Sequence, residues 1–509
     1  MTTLGSAVTS VTTTLANPGA EKLAGKRLAV VGLGKSGRAS LRVLTELTRA
    51  VVSGWDSNQQ VIDAVANSGE LSEDALDSLH AVPGEDELAA AVLAWQPEII
   101  VLAPGIREIA PLFVRAEEAG IELWSEIELA WRLRAMNDDG VAAPWFCVTG
   151  TNGKTTTVSM LEAILKQAGM GGVAIGNIGT PAVLETSRTD VQAPGAFAVE
   201  VSSFQLRTTH SVSPVAATCL NFADDHLEWH GSRQAYWQAK ARVYEHTQVA
   251  CVYPVGDEIA QRMVDEADVV EGARAIGVCL GVPSVGQIGI VEGLVIDRAF
   301  GDFHRGEGVE LFEIDDLMHL APQPGELPVH IVRDAMTAAS LARAGGVEPA
   351  DIRAALRGFA PGKHRIELIE RVDGVAYVDD SKATNAHAAR ASLMGQRDGS
   401  VVWIAGGQAK GSRFEELVEQ VQGKLRAVVV IGKDQQPWRE ALAGVEAPTV
   451  WISPDSSDPM GEAVAQARVL AHDGDTVLMA PACASMDQFT SYAHRGEAFA
   501  AAVRGKRDD

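Results

Sequence analysis

The chain has 509 residues, 46% of them hydrophobic, which is too long for one core and apolar enough to bury several; at roughly 150 residues per domain, about three are expected. A formal charge of -24 disfavours a nucleic-acid backbone or an anionic membrane as partner, since either would be repelled. Five cysteines (Cys147, Cys219, Cys251, Cys279, Cys483) show neither C-x-x-C spacing nor a pairing pattern, which fits a reducing cytoplasm.

The opening "MTTLGSAVTSVTTTLANPGAEKLAG" lacks a basic start followed by an apolar core, and no apolar run reaches the ~20 residues of a membrane span, so a soluble protein is expected. A first unit, 1–135, starts with the strand-like "RLAVVGLG", passes through "GKSGRAS" into a helical pattern and returns to "AVVSGWD", a βαβ reading with further alternations to "EIIVLAPGI" and "IELWSEIELAWRL". After the polar stretch "RAMNDDGVAAP", a second unit, 140–359, opens with "WFCVTG", turns through a glycine loop into "TTTVSMLEAILKQAG", and adds strands at "GAFAVEVSS", "VAATCLNF" and "VACVYPV". Extended segments between Ile288 and Asp316 read as a small antiparallel addition. A third unit, 360–509, places strands at "GVAYVDD", "SVVWIAGG", "AVVVIG", "PTVWIS" and "TVLMAPA". The class is therefore α/β with three domains: an N-terminal Rossmann-like one, a central doubly wound ATPase-type one and a C-terminal Rossmann-like one.

Two glycine loops carry the chemistry. In "VVGLGKSG", Gly32, Gly34 and Gly37 reproduce G-x-G-x-x-G after a strand, and Asp56 ends the next strand. Alone this is a dinucleotide fingerprint, and a nicotinamide oxidoreductase is one reading of it; a turn without ligand is another. In "VTGTNGKTTT", Gly150 and Gly153 free the backbone to wrap phosphates, Lys154 supplies a point charge and Thr155 a hydroxyl suited to magnesium, although Val148 stands where a full P-loop has glycine. A nicotinamide enzyme has no use for such a loop. Glu200, His226 and Lys240 follow on the same predicted sheet; each alone reads as an ordinary core or surface residue, and only their joint placement near the ends of strands points to the phosphates. In the third unit Arg365, Lys382 and Lys410 are loop cations suited to phosphate or carboxylate, while Asp379 and Asp380 read equally well as turn residues.

The segments "GTNGKTTT", "GNIG", "EVSSFQL", "DDHLEWHGS", "AKARVY", "HRIE", "DDSKATN" and "APACASMDQF" resemble those of the Mur ligases, in the family's order, and the likeness runs over nearly the whole chain from about Lys26. "SKATN", "ACASMDQF", "GLGKSG" and "APGI" are similar to the branch that adds D-glutamate. That resemblance implies that ATP phosphorylates the carboxylate of UDP-N-acetylmuramoyl-L-alanine and that the amine of D-glutamate attacks the acyl phosphate, in peptidoglycan precursor synthesis. Family members adding other amino acids, or glutamate to folate, are the near alternatives.

Carried over by motif, the resemblance implies that Gly150, Thr151, Asn152, Gly153, Lys154, Thr155 and Thr156 hold ATP with Arg365 and Asp380. Two magnesium ions would be held by Thr155, Glu200, His226 and a carbamylated Lys240, with Asn177 near the reacting centre. Gly34, Lys35, Ser36, Asp56 and Ser57 would take the uridine diphosphate, and Lys382, Thr384, Lys410, Ser485, Met486 and Tyr492 the D-glutamate, with domain closure assembling the site. The pattern is broken at Asn58, where an arginine is familiar, at Ile331 and Asp334, where asparagines are, and at Tyr492, where a phenylalanine is. No nucleic acid or membrane partner is expected.

Overall fold

The pentad "RLAVV" is apolar beyond its first residue and forms β1 (Arg27–Val31), buried along Leu28–Val31, as strands covered on both faces are. With β2 (Val51–Asp56), β3 (Leu79–Ala81), β4 (Ile99–Leu102) and β5 (Glu122–Trp124) it makes a parallel sheet in the order β3-β2-β1-β4-β5, the doubly wound pattern read from the sequence. The computed structural model describes residues 15–71, 78–223, 225–301, 307–321, 327–360, 362, 364–409 and 412–505.

The second sheet is built on β6 (Trp145–Thr149), buried throughout, with β7 (Gly172–Gly176), β8 (Ala196–Glu200), β9 (Ala216–Cys219), β10 (Ala250–Pro254), β11 (Arg274–Val278), β12 (Gln287–Val291), β13 (Leu294–Asp297) and β14 (Val309–Glu313). Its order is β14-β13-β12-β11-β10-β9-β6-β8-β7, so β6 lies between β9 and β8. The extended region after Ile288 does turn antiparallel, at a β12–β13 hairpin closed by Glu292 and Gly293, both at positive φ as a two-residue type I′ turn requires. It extends the same sheet. The third sheet comprises β15 (Glu367–Val372), β16 (Val375–Asp379), β17 (Val401–Gly406), β18 (Leu425–Ile431), β19 (Thr449–Trp451) and β20 (Thr476–Met479), in the order β15-β16-β20-β17-β18-β19. β15, which the sequence reading left out, pairs antiparallel with β16. Apolar clusters cover both faces of this sheet.

These sheets fall into two compact units. One takes the chain to Phe312 with Met336–Ala355 and contains the first two sheets; the other takes Glu313–Ala335 and the chain from Leu356. Within the former, one buried cluster runs from Leu28 and Val30 through Trp124 and Ile127 to Trp145, Cys147 and Val199, joining the two sheets. Two carboxylates of the helix Glu126–Arg132 reinforce that junction. Glu128 accepts the N–H groups of His210 and Ser211 at 2.8 and 2.9 Å and the Ser211 hydroxyl at 2.6 Å. Burial alone would raise its pKa, but these bonds and Arg132 hold it below the usual value. Glu126 is also buried and accepts Val183 N–H at 2.6 Å, at the start of the helix Ala182–Thr186. Desolvation pushes it from 4.5 up to about 7 against the backbone hydrogen bonds of Val183 and Ala182.

A consequence for stability follows from Glu126. Between pH 4.5 and about 7 the native carboxyl keeps a proton that the unfolded chain releases, so stability falls as pH rises through that window. Glu126→Gln retains an oxygen for Val183 and has no proton to lose. Its unfolding free energy relative to wild type should therefore grow with pH by about 3 kcal/mol at most across the window. Urea melts at a series of pH values measure this, and a difference independent of pH would refute it.

Candidate active site

β6 ends at Thr149, and the chain turns through Gly150–Gly153 into the helix Lys154–Gln167. Val148 is a fully buried strand residue with Glu200 and Thr218 as its neighbours on β8 and β9, so the strand runs through the position where a full P-loop has glycine. Gly153 takes the left-handed φ of 82° at the N-cap, a conformation that a side chain would strain. No side chain caps this helix, so its first N–H groups remain donors for an anion.

The loop is held from below by Asn221, just beyond β9. Its Oδ1 accepts Thr151 N–H at 3.0 Å and Asn152 N–H at 2.9 Å, and its Nδ2 donates to Asn152 O at 3.1 Å. Lys154 Nζ curls back onto Gly150 O and Thr151 O at 2.8 and 3.0 Å. Glu200, buried at the end of β8, binds one hydroxyl and one amide: Thr155 Oγ1 donates to Oε2 at 2.5 Å and Asn177 Nδ2 to Oε1 at 2.8 Å. A hydroxyl, a carboxylate and an amide so grouped are the hard oxygen ligands that magnesium takes, and the residues present fit that ion.

His226 caps the one-turn helix Leu227–His230 in left-handed conformation, its Nε2 3.4 Å from an Asp225 oxygen and its ring packed edgewise on Phe204. Burial lowers its pKa against the pull of Asp225 and Glu228. Lys240, on the helix Arg233–Ala241, is 2% exposed; Thr149 Oγ1 lies 3.5 Å from its Nζ and the Tyr236 ring 5.0 Å away. Desolvation first, and then the charge of Lys154, lower it from 10.5 to about 7, with Cys219, Asp225 and Glu200 opposing. The structure thus groups Thr155, Asn177 and Glu200 by direct contact, ties Lys154 to the loop carbonyls beside them, and places Lys240 and His226 within the field of Lys154.

At the first sheet, Gly37 is required by close packing: a Cβ there would stand 1.9 Å from Gly32 O. Gly34 caps the helix Lys35–Leu47 without a side-chain bond, and Ser36 lies in its first turn. Lys35 Nζ donates to Gly179 O at 2.6 Å, reaching the "GNIG" loop of the second sheet. Asp56 accepts Leu33 N–H at 2.8 Å and Asn58 N–H at 2.9 Å, which braces the fingerprint loop, and Ser57 beside it is exposed. Asn58 accepts Gln60 N–H as the cap of the helix Gln59–Ala66, a task an arginine could not perform.

The described candidates at the third sheet lie just before β15, on the loops that follow β16 and β20, and at the start of the helix Tyr492–Arg504. His364 Nδ1 is 2.7 Å from Asp379 Oδ2, and Asp379 Oδ1 accepts Ser381 N–H at 2.8 Å, so the members of "HRIE" and "DDSK" adjoining Arg365 and Asp380 are fixed in place. Burial raises Asp380 to about 7 despite a hydrogen bond from Ser392 and the charge of Arg365. Lys382 Nζ lies 3.8 Å from the centre of the Tyr492 ring, a cation–π contact that a phenylalanine would also offer. Thr384 is half-buried in the same loop, Ser485 is buried, and Met486 is exposed. Lys410 lies outside the described residues. Asp334, on the helix Val329–Ala344, is buried.

Four residues escaped the sequence reading: Asn221, Glu108, Arg207 and His230. Asn221 stands two residues past a strand that neighbours β6, a position that could have flagged it. His230 was visible in "DDHLEWHGS", but its partner Glu108, 3.0 Å from Nδ1, lies 122 residues away.

Comparison with known proteins places the chain among relatives. Residues 148–276 match the Mur ligase middle domain, and residues 364–483 match the Mur ligase glutamate ligase domain. The chain is 47% identical over 485 residues to the UDP-N-acetylmuramoylalanine--D-glutamate ligase of Streptomyces coelicolor, covering 95% of this chain and 98% of that one. It is 47% identical to the protein of the same name from Streptomyces avermitilis, with 94% and 98% covered. Among solved structures, the UDP-N-acetylmuramate-alanine ligase MurC of Thermotoga maritima superposes with a TM-score of 0.51 at 16% identity, covering 94% of this chain and 99% of that one. The MurF ligase of Thermotoga maritima in complex with ADP gives 0.50 at 16%, covering 94% and 93%. Those two likenesses concern the fold.

Asn221→Ala removes the acceptor of two loop N–H groups and should loosen the phosphate cradle. A loss of about 1–3 kcal/mol, or ~5- to 150-fold in ADP affinity, is expected by calorimetry. Unchanged affinity in a folded variant would show that the loop holds its shape without this brace.

Proposed function

The chain belongs to the Mur ligase family, and from that premise we propose that it joins D-glutamate to UDP-N-acetylmuramoyl-L-alanine at the expense of ATP, in peptidoglycan precursor synthesis. The observation that carries the reading is the Glu200 carboxylate bonded to Thr155 and Asn177 beside the Lys154 loop, with the buried amine of Lys240 in the same field. The choice of substrates is supported by the names of relatives matched along nearly their full length. A nicotinamide oxidoreductase would share the fingerprint of the first sheet but has no role for this constellation.

On this reading residues 1–135 take the sugar nucleotide, 140–359 ATP and 360–509 the amino acid. Lys154 exchanges its two carbonyl partners for phosphate oxygens, joined by the N–H groups at the start of its helix, which no side chain caps. Thr155 and Glu200 would hold one magnesium, and His226 with a carbamylated Lys240 a second. Bound there, magnesium would offset the charge of the phosphoryl group in transfer. An oxygen of the substrate carboxylate attacks the γ-phosphorus and ADP leaves; the amine of D-glutamate then attacks the acyl carbon, phosphate leaves with the C–O bond electrons, and the nitrogen gives up a proton. Asn177, tied to Glu200, is placed to orient the reacting carboxyl.

The lowered pKa of Lys240 bears on its modification. Only the free base captures carbon dioxide, and an amine of pKa about 7 is about half free base at neutral pH, against about one part in a few thousand for an ordinary lysine. Capture turns a cation that would repel a metal into an anionic oxygen ligand. Lys35 would pass from Gly179 O to the diphosphate, with Gly34, Ser36, Asp56 and Ser57 about it. Arg365 and Asp380 serve the nucleotide; Lys382, Thr384, Lys410, Ser485, Met486 and Tyr492 serve D-glutamate. Among the described residues no helix is long and apolar enough to cross a membrane, and a cytoplasmic site of action is proposed for substrates of this kind.

Phosphate release from ATP should require UDP-N-acetylmuramoyl-L-alanine and D-glutamate together, with L-glutamate a poor substitute; equal turnover with L-alanine or a folate acceptor would overturn the substrate assignment. Lys240→Ala should lose most activity, and a short carboxylic acid in solution should restore part of it in a magnesium-dependent way. Full activity in that variant would refute the role of Lys240, and an intact-mass measurement on the wild-type protein with and without bicarbonate reads the carbamate independently of turnover.

A further inference from the structure

The turn that carries His226 is gripped by the loop that follows β4. Trp229 Nε1 donates to Pro104 O at 3.1 Å, His230 Nδ1 meets Glu108 Oε2 at 3.0 Å, and the other ring nitrogen of His230 meets Ser203 Oγ at 3.0 Å. Arg207 closes the arrangement from the second sheet, with Nε 2.5 Å from Glu108 Oε1 and Nη2 2.7 Å from Glu117. The His230 side chain is wholly buried and that of Glu108 is 16% exposed. Both oxygens of Glu108 are engaged, and although burial would raise its pKa, His230 and Arg207 keep it lowered and hence ionised. The same loop flanks the fingerprint of the first sheet, where a Cβ on Gly32 would stand 2.7 Å from Ala103 Cβ.

We propose that Glu108 and His230 are positioning residues for the ligase reaction: their bond ties the His226 turn to the loop beside the sugar-nucleotide fingerprint, so that the two move as one piece. The proposal rests on the ligase reading above. Neither residue touches a reacting group. His230 acts through its helix, whose first residue follows His226 directly and whose His230 N–H returns to His226 O at 3.1 Å. Arg207 orients Glu108 and supplies the cation that lets it stay ionised inside the protein.

The test is a double-mutant cycle on the full-length protein with Glu108→Ala, His230→Phe and the pair, and with Glu108→Gln as the conservative variant. Each single change should lower kcat by about 10- to 100-fold, the scale of a misplacement near an ångström, and raise KM for the sugar nucleotide while leaving that for ATP within about twofold. The double variant should be no worse than the worse single one, since the two act as a unit. Glu108→Gln, which can still meet the imidazole, should recover much of the loss. Folding is checked by calorimetric ADP binding, which should match wild type. Additive losses in kcat, or a lowered melting temperature with kcat intact, would overturn the proposal. If wild type itself fails to turn over these substrates, the ligase reading fails instead. Should His230→Phe not fold, Glu108→Ala against Glu108→Gln decides by the same split of kcat from KM.

Discussion

The site depends on one carboxylate, that of Glu200, held at the end of β8 between the Thr155 hydroxyl and the Asn177 amide. β8 neighbours β6, so the strand that delivers the carboxylate is next to the strand that launches the phosphate loop, and parallel pairing puts both ends on the same edge. β9, on the other side of β6, brings Asn221 to the same edge. Three strands thus converge because a parallel sheet presents all its carboxyl ends together, which is the general reason such folds bind ligands there. The buried amine of Lys240 takes its altered basicity from that convergence, since the desolvating wall and the charge of Lys154 are products of the same packing.

Local signals recovered a large part of this. Buried parallel strands are continuous apolar runs, so "RLAVV" and "WFCVT" declared themselves, and glycine spacing marked both phosphate-type loops. What sequence could not supply were partnerships across long separations. Glu128 with Ser211, Glu108 with His230, and Asn221 with Asn152 join residues between 69 and 122 positions apart, and a lone Glu or His carries no periodicity by which to find them. β15 was overlooked for another reason. Its residues Glu367, Glu370 and Arg371 make it half-exposed and charged, the composition of a protected sheet edge rather than of a core strand.

Two departures from the family pattern also acquire physical content. Asn58 gives the helix after it a cap. Tyr492 keeps a ring face for Lys382. Val148, which departs only from a full P-loop, is paired within the sheet to Glu200 and Thr218.

The shared core of the first two sheets bears on how such a chain can diversify. The polar linker between them reads as a seam at which evolution could exchange one nucleotide-binding module for another. Yet Trp124, Ile127 and Leu129 are buried in the same cluster as Trp145 and Val199, and Glu128 is spoken for by the backbone at 210 and 211. A module transplanted at the linker would leave a buried carboxylate without its donors and an apolar face without cover. Recombination between relatives would have to carry the segments around 182–187 and 208–211 along with the first sheet, so these parts of the lineage are constrained to be inherited together.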